Sequence, residues 1–113
     1  MEGRIEELKK GRYWIYKVYG ELGLENSEKL WALSKKRLQS LKPWIAINMT
    51  EVAFLNSVGM GTLMMIHKNA KKRNGKLVLI SPIKAVKNSI YLTELNKALD
   101  IIDNEKDIIS GQG

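Results

Sequence analysis

Two short apolar runs limit what this chain can fold into. The first is Trp44-Ile45-Ala46-Ile47-Asn48-Met49, and the second is Lys76-Leu77-Val78-Leu79-Ile80. Pro43 stands before the first; Asn74-Gly75 and Ser81-Pro82 bracket the second. Runs this short, closed by breakers, read as strands, and their lack of polar alternation means that both faces are covered, as in a parallel sheet. Asn48 is the one polar interruption. Between them, Thr62 to Arg73 carries Leu63, Ile66 and Ala70 on one helical stripe, with Met64 beside it and Asn74-Gly75 as a stop. Strand, helix and strand in that order imply a right-handed crossover within one sheet.

The flanks extend the pattern. Arg4 to Leu8 reads as a short charged strand, Lys9-Lys10-Gly11 as a turn, and Tyr13 to Tyr19 as a strand rich in aromatic and β-branched residues. Gly20-Glu21-Leu22-Gly23 ends it. A helix is expected from about Ser27 to Leu41, capped by Asn26 or Ser27, burying Leu30, Leu33, Leu38 and Leu41 with Trp31 at the margin. Ile83, Val86 and Ile90 mark a third helix, 99–102 a last short strand, 105–109 a final helical turn, and 111–113 a frayed tail. At 113 residues the chain suits a single domain spanning 1–113. The expected fold is α/β: a four- or five-stranded mixed, mostly parallel sheet, helices packed mainly on one face, with 44–49 and 76–80 as interior neighbours.

Composition removes several kinds of chemistry. With no cysteine and one histidine, His67, there is no thiolate nucleophile, no disulfide and no evident metal set. Gly20, Gly23, Gly59 and Gly61 do not make a dinucleotide fingerprint, and no nucleophile–base–orienter set assembles. Neither catalysis nor a cofactor is expected. No apolar run approaches the roughly 20 residues of a membrane span, and the charged N-terminus is unlike a signal peptide; a cytoplasmic protein is expected. The net charge of +7 invites a nucleic-acid reading, but the densest clusters, Lys35-Lys36-Arg37 and Lys71-Lys72-Arg73, fall at the ends of helices, where cations complement the helix dipole.

Three stretches, in order along nearly the whole chain, resemble the STAS domain of bacterial anti-sigma factor antagonists. Tyr19 to Asn26 is similar to the family's G-E-L-D segment. Ile47 to Met49, then Phe54-Leu55-Asn56-Ser57-Val58-Gly59-Met60-Gly61, resemble its strand and following D-S-S-G-L-G turn. Lys76 to Pro82, Tyr91 to Leu95 and Leu99-Asp100-Ile101 resemble its later strand and L-T-G-L ending. The resemblance implies a STAS-like fold and a regulator that binds an anti-sigma factor with GHKL-type serine kinase activity. It also implies that Ser57 is the phosphoacceptor. The chain departs from the pattern at Asn48 and Asn56, where the family carries aspartate, at Val58, where it carries a second serine, and at Glu94, where it carries glycine.

The turn has a physical logic of its own. A helix start offers free N–H groups and partial positive charge, so a phosphate on Ser57 would be stabilised there. The plainer role is that Ser57 caps the helix. Gly59 and Gly61 would leave the first turn bare for another protein's backbone. The expected partner surface is Asn56, Ser57, Val58, Gly59, Met60, Gly61 and Met64. Two other readings remain: a non-switching STAS subunit of a larger assembly such as a lipid-transport complex, and a basic nucleic-acid-binding module.

Overall fold

A computed structural model describes residues 3–93 and 95–109. The chain opens with a hairpin, β1 (Arg4–Lys10) and β2 (Tyr13–Leu22), closed by Gly11 at φ 57°. It continues as α1 (Leu24–Leu38), β3 (Trp44–Leu55), α2 (Ser57–Lys72), β4 (Lys76–Ile80), α3 (Lys84–Leu92), a 3-10 turn at Leu95–Lys97, β5 (Asp100–Ile102) and α4 (Lys106–Ile109). The five strands lie in sequence order. β1 and β2 are antiparallel and the other pairs parallel, so β3 and β4 are interior neighbours, as the apolar runs require.

The period-2 alternation of the strands sorts side chains onto two faces. Tyr16, Val18, Ile45, Ile47, Met49, Leu77 and Leu79 pack with Leu30 and Leu38 of α1, Leu63, Ile66 and Ala70 of α2, and Val86 and Ile90 of α3. This is the main core. The opposite face carries a smaller cluster, Tyr13, Ile15, Ala46, Val78 and Ile80, roofed by Ile108 of α4. Glu105 secures this roof by pairing with Lys10 and accepting a 3.0 Å hydrogen bond from Asn48 Nδ2. The three longer helices thus share one face, and only the short α4 covers the other.

Several boundaries differ from the sequence expectation for identifiable reasons. α1 starts at Leu24, not Ser27, and Asn26 is no cap. It is buried, and its side-chain amide donates to the Tyr19 and Glu21 carbonyls at 3.0 and 2.8 Å, where the β2–β3 ladder is irregular. The helix ends at Leu38, with Ser40 Oγ bonded to the Arg37 carbonyl at 2.7 Å. Leu41 therefore lies past the buried stripe and is 90% exposed. β3 runs on to Leu55 because residues 51–55 keep pairing with Tyr19–Leu22, though their side chains are mixed in character. α2 begins five residues before Thr62, its glycines having hidden the first turn from propensity. Its far end follows expectation: Asn74 at φ 62° and Gly75 close a Schellman turn through Gly75 N–H to Ala70 O and Asn74 N–H to Lys71 O. Ile83 precedes α3 and is exposed rather than buried. The tail 111–113 lies outside the described residues.

Candidate functional site

The turn between β3 and α2 sits at the carboxyl end of the parallel strands. Asn56 holds it. Its backbone is extended, and its side-chain Oδ1 accepts from the Gly59 N–H at 3.0 Å. Its own N–H donates to the Leu22 carbonyl, and its carbonyl accepts the first helical bond from Met60. The helix cap is therefore Asn56 and not Ser57. Ser57 is the first helical residue and is exposed, with its hydroxyl free of the capping task. The N–H groups of Ser57 and Val58 lie in the first turn, where no intrahelical acceptor exists. No acidic side chain occupies that turn.

The two glycines of the turn have opposite surroundings. Gly59 is buried, and a Cβ there would lie 2.7 Å from Leu55 Cδ1, 3.0 Å from Leu22 Cγ and nearer still to the Leu22 carbonyl oxygen. Its bareness serves the packing of α2 against β2 and does not face a partner, so Gly59 leaves the expected contact surface. Gly61 is exposed, with nothing near its absent side chain. Val58 is 43% exposed beside Ser57. Met60 and Met64 are half-buried against the core, and Met60 Sδ receives the Thr93 hydroxyl at 3.7 Å.

Sequence reasoning missed two apolar neighbours. Phe54, 55% exposed, and Leu24, 63% exposed, line a shallow depression of about 380 Å³ with Gly20, Gly23 and Ala53. The ladder skips a residue there, pairing Gly20 with Val52 but Glu21 with Phe54, so Ala53 and Phe54 are both turned out. Strand alternation alone carries no sign of such a bulge.

The remaining candidates lie elsewhere. Asn48 is on the α4 face, with Oδ1 accepting from the Thr50 N–H and hydroxyl at 3.0 and 2.7 Å. His67 is mid-helix and half-buried; burial, with Lys71 nearby, pushes its pKa down. No group of three potential metal-ligating side chains occurs among the described residues, and no helix among them is long and apolar enough to cross a membrane.

The sequence pattern of the STAS domain matches residues 4–108. The chain belongs to the STAS family. Several solved structures superpose closely. An anti-sigma factor antagonist from Mycobacterium paratuberculosis aligns with TM-score 0.83 and 20% identity, over 96% of this chain and 92% of that one. The Bacillus cell fate determinant SpoIIAA in its phosphorylated form gives 0.74 and 17%, over 93% and 96%. A sulfate transporter family protein from Wolinella succinogenes gives 0.78 and 16%, over 91% and 86%. At these identities the likeness establishes the STAS fold, shared by proteins described in quite different terms.

Proposed function

We propose that this STAS domain is a protein-binding regulator of the anti-sigma factor antagonist kind, switched by phosphorylation of Ser57. One observation carries the reading: Asn56 takes the cap, so the Ser57 hydroxyl stands exposed and unengaged at the positive end of α2, beside exposed Val58. The proposed partner is an anti-sigma factor with GHKL-type serine kinase activity. It docks over Ser57, Val58, Gly61 and the outward parts of Met60 and Met64, with Phe54 and Leu24 extending the apolar area. Phosphorylation adds about −1.5 to −2 charge. The helix N-terminus stabilises that charge while it is hydrated. Docking an apolar surface over it removes the hydration, and an unpaired buried charge costs about 3–5 kcal/mol.

The test is binding of Ser57→Ala and Ser57→Asp to the anti-sigma factor, with mass-spectrometric mapping of the kinase reaction. Alanine should bind as the parent does, and aspartate should bind about 100-fold more weakly or worse. Equal binding by both, with Ser57 unmodified by the kinase, defeats the switch. A second reading, a fixed subunit of a larger assembly such as a lipid-transport complex, then takes its place. It draws support from the two asparagines: both Asn48 and Asn56 are engaged in structural hydrogen bonds where the family carries carboxylates.

A further inference from the structure

The basic clusters that lie far apart in the sequence converge in space. Segments 9–12, 35–42 and 68–76 hold twelve of the 19 Lys and Arg residues and no Asp or Glu. The first is the β1–β2 turn, the second the end of α1 and the loop into β3, the third the end of α2 and the start of β4. Tyr13, Trp44 and Lys76 pair side by side at the starts of β2, β3 and β4, and Lys76 N–H donates to the Pro43 carbonyl. All three segments therefore surround the amino end of the parallel strands, the end of β3 opposite Ser57. Of these cations, only Lys10, Arg37 and Lys76 form ion pairs among the described residues. The other nine form no ion pair among the described residues, and although Glu7 lies within electrostatic reach of Lys36 the pole keeps a net positive charge.

Two further features indicate what this pole faces. Leu41, 90% exposed, projects from the loop between Arg37 and Lys42. Trp14 and Trp44 sit half-buried at the same end, and basic side chains already lie over their rings. Arg37 lies 3.6 Å and Lys9 5.3 Å from the Trp14 ring centroid; Arg12 lies 4.5 Å and Lys76 5.6 Å from that of Trp44. Rings so covered are poor platforms for nucleotide bases, which bind single strands largely by stacking. An apolar tip ringed by lysines, over interfacial tryptophans, matches a charged bilayer surface instead.

We propose that this pole docks on an anionic phospholipid surface, with the basic residues at the headgroups and Leu41 reaching the acyl boundary. No helix among the described residues is long and apolar enough to span the bilayer. Ser57, at the far end of the sheet, stays turned to solution, and the proposal stands whether or not Ser57 is a switch.

The experiment is cosedimentation of the whole chain with vesicles of phosphatidylcholine alone, and of phosphatidylcholine with about 30% phosphatidylserine. The chain should pellet with the anionic vesicles at about 50 mM salt, stay in solution with neutral ones, and be released at about 500 mM. Lys36→Gln on α1 and Lys72→Gln on α2 should each weaken binding about fivefold, and together multiply, because both belong to the same basic pole. Leu41→Ser should weaken vesicle binding but leave binding to a random DNA duplex unchanged. Ser57→Asp should bind vesicles as the parent does. All these side chains are exposed, and thermal melting confirms that each variant folds. Failure to pellet, equal pelleting with neutral vesicles, or losses confined to one of the two lysines would each overturn the proposal. So would Leu41→Ser pelleting like the parent while DNA binds more tightly than vesicles, which assigns the pole to nucleic acid.

Discussion

Gly59 and Gly61 lie two residues apart in α2, and the same substitution should have opposite signs at the two. Alanine is favoured over glycine within a helix by about 1 kcal/mol. At Gly61 nothing opposes that gain, since the space around it is empty. Gly61→Ala should stabilise the domain by about 0.5–1 kcal/mol. At Gly59 the new methyl meets Leu55 Cδ1 at 2.7 Å and Leu22 Cγ at 3.0 Å, with the Leu22 carbonyl oxygen closer than either. A side chain can turn away, but that carbonyl is fixed by accepting the Asn56 N–H. α2 must lift from the sheet, and overpacking of this kind costs about 1–3 kcal/mol or more. Here the upper end applies, leaving a net loss of about 2 kcal/mol after the helix gain. Urea unfolding reads both. With a slope of about 1–3 kcal/mol per molar, Gly59→Ala should lower the midpoint by about 1 M and Gly61→Ala raise it by a few tenths. Midpoints that move in the same direction, or an unchanged Gly59→Ala, would refute the close approach of α2 to β2.

Three further outcomes follow from the hydrogen bonds. Asn56→Ala should cost about 1 kcal/mol in urea unfolding, whereas Ser57→Ala should stay within about 0.5 kcal/mol, because the cap belongs to Asn56. Burial raises the carboxyl pKa of Glu7 and Glu105, but hydrogen bonds from Arg37 and Tyr16 to the first, and from Lys10 and Asn48 to the second, outweigh it and leave both below the ordinary 4.5. Their stabilisation is thus complete above pH 4.5 and lost as the pH falls through the depressed values, so an acid titration of stability should steepen there and Lys10→Met should flatten it. Asn48→Asp should destabilise by about 1–3 kcal/mol near neutral pH, with the deficit shrinking in acid, because the new carboxylate faces Glu105 and the pair then shares a proton.

The parts of the fold that were legible in the sequence are those fixed by short-range pattern. The runs at 44–49 and 76–80 show their two-sided burial in composition, and the Asn74-Gly75 stop is a local conformational requirement. What sequence reading missed was decided by partners distant along the chain. Asn26 looks like a cap, yet β2 carbonyls capture its amide from five and seven residues away. Asn56 and Ser57 are both good caps by type, and the bond from Asn56 N–H to the Leu22 carbonyl, which ties the first to β2, is not visible in local sequence. Leu41 fits the α1 stripe by spacing but falls beyond the turn that ends the helix. Each basic cluster at 35–37 and 71–73 taken singly is a helix end; that the ends meet at one pole is a property of the parallel topology.

The two asparagines that replace family aspartates carry different information about the site. At position 48 the structure supplies a compensation. Asn48 donates to Glu105, and a carboxylate at 48 has no proton to donate at neutral pH, so Glu105 brings to this spot the negative charge that the strand itself lacks. The Lys10 ammonium beside Glu105 then balances a single carboxylate rather than two. At position 56 the first turn of α2 supplies no acidic side chain, and the carboxylate near the Asn56 amide is that of Glu21, both lying against Gly23. Aspartate would cap at least as well as asparagine and would favour the dipole more, so capping alone does not account for the amide. Its electrostatic effect is to leave one negative charge fewer at the positive helix end next to Ser57. A phosphate there meets the field of the N-terminus without the further like charge that an aspartate at 56 would add. The same neutral residue that removes a carboxylate a kinase could recognise therefore improves the environment of the phosphorylated product.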